Sequence, residues 1–129
     1  MFSPHKNDTG AVLPWEYLPA AADTYEAGQL LQVTDGKLAA ISAASTTTPP
    51  YLCMASITVE DGELLPVTRI DKDTIYESML SAEAAEAKLG TKLQISAGGK
   101  EVDATVSGSF EVVAVEGTAA GSIVYGRFQ

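Results

Sequence analysis

The residues best suited to catalysis are few and lie far apart in this sequence. His5 is the only histidine and Cys53 is the only cysteine. A nucleophilic site needs a base held beside a serine or cysteine, and His5 lies in a polar N-terminal segment without hydrophobic periodicity. Cys53 lies in the apolar run of residues 51–55, which is typical of a buried, unreactive thiol. The sequence therefore predicts no nucleophilic active site.

Carboxylates cluster in two predicted turns, where they could bind calcium or serve as an acid–base pair. Asp71 and Asp73 flank one lysine, and residues 60–63 carry further acidic side chains. Neither stretch has the ligand series and glycine of an EF-hand loop, so solvated turn carboxylates explain both better. A hydrolase that uses Asp71 and Asp73 as paired carboxylates stays open as the least favoured alternative.

Cofactor sites are not indicated either. One histidine and one cysteine, far apart, do not make a transition-metal site. The sequence has no Gly-x-Gly-x-x-Gly motif and no Walker-type phosphate loop. We therefore predict a protein with no metal, no cofactor and no enzymatic activity.

Charge and hydropathy narrow the choice of partners. The 129 residues carry a net charge of −9, and the scattered basic residues form no stripe that could bind phosphates. An anionic membrane surface would repel the chain, and no apolar run is long enough to cross a bilayer. No signal peptide is evident. These features predict a cytoplasmic origin, with neither nucleic acid nor membrane as a partner.

The stretch of residues 25–42 predicts the architecture that positions the rest of the chain. Leu31 and Val33 alternate with polar residues, as in a half-buried strand. Asp35-Gly36 supplies the positive φ angles of a tight hairpin turn. The opening of this stretch is echoed later, and the echoes arise either from duplication or, as we favour, because short antiparallel strands need glycine turns. The echoing segments are residues 28–33, 62–67, 90–95 and, loosely, 121–126.

The predicted fold class is all-β, a mainly antiparallel small barrel or sandwich with one short helix and an extended N-terminal arm. Residues 1–23 form the arm, and residues 24–129 form a single β-rich domain. The helix covers residues 81–89 and ends at Gly90, and Pro66 indicates an edge or a bulge in its strand. Beyond the first hairpin, strands are predicted at residues 51–59, 64–70, 74–80, 92–96, 102–106, 110–116 and 122–128.

The arm combines helix breakers with apolar side chains. Its prolines disfavour a helix, yet rings such as those of Trp15 and Tyr17 could bury considerable surface. The arm could pack on its own domain, or it could become ordered on a partner in the manner of an added strand. Its apolar anchors are Val12, Leu13, Trp15, Tyr17 and Leu18.

The layout of residues 10–80 resembles the head-decoration, or capsid-cement, proteins of tailed bacteriophages. A proline-containing arm, a strand–turn–strand unit, a small polar loop, an apolar strand and an acidic turn follow one another in that order. Two later pieces are similar to other phage structural proteins. The segments that carry the resemblance are residues 28–38, 51–55, 60–62, 64–70 and 74–77, followed by the later pieces at 90–93 and 117–121.

The resemblance implies a non-enzymatic virion protein, usually a homotrimer, made in the bacterial host cytoplasm and attached to the outside of the expanded head. Its arm would become ordered against the major capsid protein and stabilise the capsid. Another phage part, such as a tail or head-fibre base, is the alternative, as is a surface adhesion module with a groove lined by Trp15 and tyrosines. The capsid-contact residues would be, by position, Phe2, Val12, Leu13, Trp15, Tyr17 and Leu18.

Overall fold

The computed structural model describes residues 1–129 and consists of thirteen β-strands without any helix. All strand pairs are antiparallel, which confirms the predicted all-β, antiparallel class. The strands are β1 (Ser3–Asn7), β2 (Trp15–Pro19), β3 (Asp23–Tyr25), β4 (Leu30–Thr34), β5 (Lys37–Ala40), β6 (Tyr51–Cys53), β7 (Ile57–Val59), β8 (Leu64–Arg69), β9 (Thr74–Met79), β10 (Lys92–Ile95), β11 (Val102–Val106), β12 (Phe110–Val115) and β13 (Ile123–Phe128).

The strands form three sheets. A six-stranded sheet has the order β1-β9-β13-β12-β10-β11, a five-stranded sheet has the order β2-β8-β6-β4-β5, and β3 pairs with β7 alone. Neither large sheet closes into a barrel, although each curls until two strands meet at a single parallel bridge, Ala20 with Leu38 and Leu80 with Val102. No helix is long and apolar enough to span a lipid bilayer.

Two hydrophobic cores lie inside these curled sheets. The larger core gathers buried side chains from both sheets, among them Leu30, Leu52 and Phe110. The smaller core is enclosed by the five-stranded sheet and includes Leu38 and Cys53. Burial of each large aliphatic or aromatic side chain contributes about 1.5–3 kcal/mol, so these cores are the main source of stability.

The two halves of the chain have the same topology. If the strands of the first repeat (residues 15–69), β2, β4, β5, β6 and β8, are numbered 1 to 5 along the chain, their order across the sheet is 1-5-4-2-3. In the second repeat (residues 74–128), strands β9 to β13 are arranged in that same order. The register agrees as well, because Tyr17 opposes Pro66 in the first repeat as Glu77 opposes Tyr125 in the second.

Backbone hydrogen bonds outside the strand ladders repeat at equivalent positions about 60 residues apart. They hold the end of the first strand to its neighbours and the glycine before the second strand to the fourth strand. The equivalent bonds, with the donor N–H first, are Ala20 to Glu63 (2.9 Å) and Leu80 to Ser122 (3.0 Å), Ala21 to Leu38 (2.9 Å) and Ser81 to Val102 (2.8 Å), and Gly28 to Cys53 (2.8 Å) and Gly90 to Val112 (2.8 Å).

The sequence echoes are the visible part of this repeat. Residues 28–33 and 90–95 cover most or all of the second strand of each repeat, and residues 62–67 and 121–126 cover the first part of the fifth. Glycine turns alone would not produce the same strand order and the same hydrogen bonds twice. The structure therefore supports duplication over our preferred explanation of the echoes.

The helix predicted at residues 81–89 is wrong. This segment forms successive turns, and it takes the place in the second repeat that β3 takes in the first: the Ala84 N–H donates to the Thr118 C=O at 2.8 Å, as Asp23 pairs with Val59. A helix this short is marginal without docking. Burial of Ala84 and Ala87 in the larger core fixes the turns instead.

Local turn chemistry was predicted correctly, but the place of Pro66 was not. Asp35 (φ 52°) and Gly36 (φ 75°) join β4 to β5 as the hairpin requires. Pro66 lies in β8, an inner strand between β2 and β6. The proline costs one ladder hydrogen bond: the Pro66 C=O still accepts from the Met54 N–H at 3.0 Å, but no N–H returns the bond, and the pairing of β6 with β8 ends there.

Candidate functional site

The structure does not bring the candidate nucleophile and base together. His5 lies on β1, where Nδ1 is 3.7 Å from Glu77 Oε1 and the imidazole ring lies 4.7 Å from the Tyr125 ring, tilted by 48°. Cys53 lies on β6 in the smaller core, and its thiol donates to the Ala55 C=O at 3.1 Å. Burial raises the pKa of the Cys53 thiol, which keeps it in the unreactive, protonated form.

The turn carboxylates are engaged in local structure. Asp71 Oδ2 accepts hydrogen bonds from Asn7 Nδ2 at 3.0 Å and from Thr74 Oγ1 at 2.9 Å, so it ties β1 to the start of β9. In the other turn, Asp61 pairs with Lys37 at 2.7 Å. No three His, Cys, Asp or Glu side chains are grouped so as to hold a metal ion. These hydrogen bonds and the ion pair attach segments of the chain to one another.

Apolar anchors from the N-terminal segment converge on one open face. Trp15 and Tyr17 alternate along β2, and their side chains are 53% and 61% exposed. Across the ladder, Tyr17 opposes Pro66 and Pro19 opposes Leu64, which is 60% exposed. Directly opposed residues share a face of a sheet. We call these five residues, Trp15, Tyr17, Pro19, Leu64 and Pro66, the β2 patch.

Sequence reasoning missed Leu64 and the two prolines of the patch. The sequence predicts a strand at residues 64–70, but nothing in it indicates that β8 lies beside β2. That pairing joins segments far apart in the chain, so only the fold reveals it. The one local signal in the sequence is the position of Leu64, directly after the acidic turn of residues 60–63.

β2 is also an edge strand with free backbone groups. The Pro66 C=O accepts from the Met54 N–H at 3.0 Å, on the side of β8 that faces β6. The N–H and C=O of one strand residue point the same way, so the Tyr17–Pro66 pair is not hydrogen-bonded. The backbone N–H and C=O of Tyr17 therefore point away from β8, toward solvent.

The remaining predicted anchors are placed differently. Val12 is 94% exposed in the connection between β1 and β2, and Leu13 lines a shallow depression together with Pro14. Leu18 packs against the smaller core. Phe2 is only 2% exposed and lies in the larger core, where its ring meets Phe110 at 5.9 Å edge to face.

Phe2 therefore fastens the arm to its own domain. Its N–H donates to the Gly28 C=O at 2.8 Å, and β1 then pairs with β9 along residues 3–7. In this conformation Phe2 does not offer a surface to a partner, and the exposed anchors are those between residues 12 and 17.

Charged side chains lie near the first residues of β2. Arg69 lies 5.2 Å above the Tyr51 ring and donates from Nη2 to the Tyr51 hydroxyl at 3.1 Å. Its Nε is 3.7 Å from Glu16 Oε2.

A second pair, Arg127 with Asp8 at 2.9 Å, holds the connection between β1 and β2 to β13. The hydrogen bond from Arg127 lowers the pKa of the Asp8 carboxyl.

Comparison with known proteins identifies no family for this chain. No protein-family model matches the chain, and no curated protein matches it.

Proposed function

We propose that this chain is a non-enzymatic structural protein of a tailed bacteriophage that decorates and stabilises the head from outside. The observation that carries the proposal is the β2 patch, an exposed apolar face that includes an edge strand with a free outer side. Aromatic residues are enriched where proteins bind other proteins. The layout of residues 10–80 supplies the choice of the major capsid protein as the partner.

The contact is confined to the exposed part of the arm. Val12, Leu13, Trp15 and Tyr17 are accessible, whereas Phe2 and Leu18 face the two cores. Phe2 and β1 then act as the attachment that holds the contact residues in place. A pre-positioned contact surface loses less conformational entropy on binding than a free arm would.

Association of several copies suits this role. Decoration proteins sit on a repetitive lattice, where many weak contacts become strong together through multivalency. We propose a homo-oligomer, a trimer by resemblance, located on the capsid surface of the virion. The net charge of −9 keeps free copies soluble before they bind.

A tail or head-fibre component, or an adhesion module, is the second candidate. An adhesion module would bind its ligand in a groove, because small ligands bind in concave sites. Trp15 and Tyr17 stand on an open sheet face rather than in such a groove. We therefore favour a protein partner with a surface of its own.

Co-sedimentation tests the proposal. Purified full-length protein is mixed with expanded and with unexpanded heads of its own phage, and the pelleted protein is quantified. We expect saturable binding to expanded heads and at least tenfold less to unexpanded heads, a difference of about 1.4 kcal/mol. Equal recovery with and without heads would overturn the proposal and favour the second candidate.

A further inference from the structure

We infer that the outer edge of β2 is a strand-addition site, at which an extended segment of a partner protein pairs antiparallel with residues 15–17. The inference concerns the mode of binding and the class of partner, and it does not depend on the partner being a capsid protein. It follows from a difference between the two repeats.

In the second repeat, the equivalent edge is covered by a strand. Strand β9 is the equivalent of β2, and its outer edge pairs antiparallel with β1, so that Ser3 opposes Glu77 and Lys6 opposes Ile75. Glu77 is the equivalent of Tyr17. In the first repeat no strand takes the place of β1.

The free edge has the groups that such a strand needs. The Tyr17 N–H and C=O point away from β8, and no other backbone group bonds to them. An added strand would satisfy both, as β1 does for Glu77 in the second repeat. Main-chain pairing of this kind gives affinity, and alternate side chains give specificity.

The fold limits the length of the added strand. Beyond Pro19, the Ala21 N–H donates to the Leu38 C=O at 2.9 Å, so β5 occupies that end of the edge. A second copy of β2 would place its Trp15 opposite Pro19, against β5. Self-pairing of two β2 strands is therefore disfavoured, whereas a short segment opposite residues 15–17 fits.

The N-terminus of a second copy is also a poor occupant. Phe2 is buried in its own larger core, and its release would expose that ring and leave a cavity. In the second repeat the position equivalent to Leu18 is the small Ser78. In the first repeat Leu18 itself packs against the smaller core, so no inserted ring is required there. The occupant therefore comes from a different protein and inserts no side chain into the core.

The chemistry of the partner segment follows from the surface around the edge. A residue opposite Tyr17 shares its face and packs beside Tyr17 and Trp15, so aromatic or β-branched side chains are favoured there. The net charge of −9 favours Lys or Arg in the flanks of the segment. The partner is thus an extended, basic peptide segment with apolar residues at alternate positions.

Selection from a displayed library of random linear peptides on the full-length protein tests this inference. We expect enriched peptides with the pattern above, and about tenfold weaker binding to Tyr17→Pro, which removes the outward N–H. Tyr17→Thr keeps that N–H and is expected to lose less. Proline is tolerated on an edge strand, and an unchanged unfolding midpoint checks that Tyr17→Pro folds.

Hydrogen exchange on the wild-type protein gives a reading that needs no variant. With a selected peptide bound, the Tyr17 amide is expected to exchange at least tenfold more slowly. A selection that enriches no peptide, equal binding to wild type and Tyr17→Pro, or an unchanged Tyr17 amide would each overturn the inference. Failure to bind phage heads would instead count against the capsid proposal alone.

Discussion

Tyr17 and Glu77 occupy the same position in the two repeats, yet only Glu77 has a strand on its outer side. The N-terminal strand β1 covers one of the two equivalent edges, that of β9. The other edge carries Trp15 and Tyr17 in the open, so the asymmetry between the repeats identifies the surface through which we propose that the protein binds.

The first prediction concerns the attachment of the N-terminus. Phe2→Ala removes a ring that is packed edge to face on Phe110, and it should lower the free energy of unfolding by about 3–5 kcal/mol. Chemical denaturation measures this change. Val12→Ala, at a position that is 94% exposed, is the matched control and should change stability by less than about 0.5 kcal/mol. Similar effects of both substitutions would mean that the N-terminus does not pack in the core.

The second prediction concerns the β2 patch. The double variant Trp15→Thr with Tyr17→Thr keeps residues that favour strands and should leave the unfolding midpoint within a few degrees. It should bind expanded heads at least about thirtyfold more weakly, because exposed aromatics of this kind dominate protein interfaces. Leu89→Thr, at a side chain that is 77% exposed in the second repeat, controls for loss of any surface apolar group. Equal loss in the control would refute a specific role of the patch.

The third prediction compares two glycines with positive φ. An alanine Cβ at Gly36 (φ +75°) would meet open space, so Gly36→Ala should cost about 1–2 kcal/mol from the backbone alone. At Gly28 (φ +92°) the Cβ would lie 2.8 Å from the Phe2 carbonyl oxygen. Gly28→Ala should therefore be the more destabilising of the two and should speed hydrogen exchange in β1. If Gly36→Ala cost as much, the N-terminus would not lie against Gly28.

The fourth prediction concerns acid stability. The hydrogen bond from Arg127 lowers the pKa of Asp8 below its ordinary value of 3.8. A lowered pKa in the folded state stabilises the protein above the unfolded-state pKa, and this stabilisation is lost as the pH falls through the folded value. The stability advantage of wild type over Asp8→Asn should thus be full at neutral pH, begin to fall near pH 3.8 and disappear as the pH drops through the lower pKa of the folded state.

Denaturation series at several pH values test this dependence. Asp103→Asn is the control, because Asp103 forms no ion pair. An advantage over Asp8→Asn that is the same at every pH would contradict the role of the Asp8–Arg127 pair.

Local features of the fold were predictable, and non-local ones were not. Asp35-Gly36 determines its hairpin through its own backbone angles, so the sequence was sufficient there. The segment of residues 81–89 has good local helix signals, but burial of Ala84 and its bond to Thr118 override them. Propensity is a weak guide where tertiary contacts compete with it.

The candidate site shows the same division. The aromatic side chains of Trp15 and Tyr17, in a segment with helix breakers, indicate candidate binding residues from the sequence alone. Their neighbours on β8 and the direction of the Tyr17 backbone depend on pairings across the chain. The echo of residues 28–33 at 90–95 is visible in the sequence, but only the common strand order shows that β2 and β9 are equivalent.

Hydrogen exchange on the full-length protein bound to expanded heads tests the central claim most directly. If the β2 edge binds the partner, the amide of Tyr17 should become strongly protected in the bound state, while exposed amides of the loop around Leu89 should not change. Binding that leaves the Tyr17 amide as fast as in the free protein would contradict the claim and place the contact on another surface.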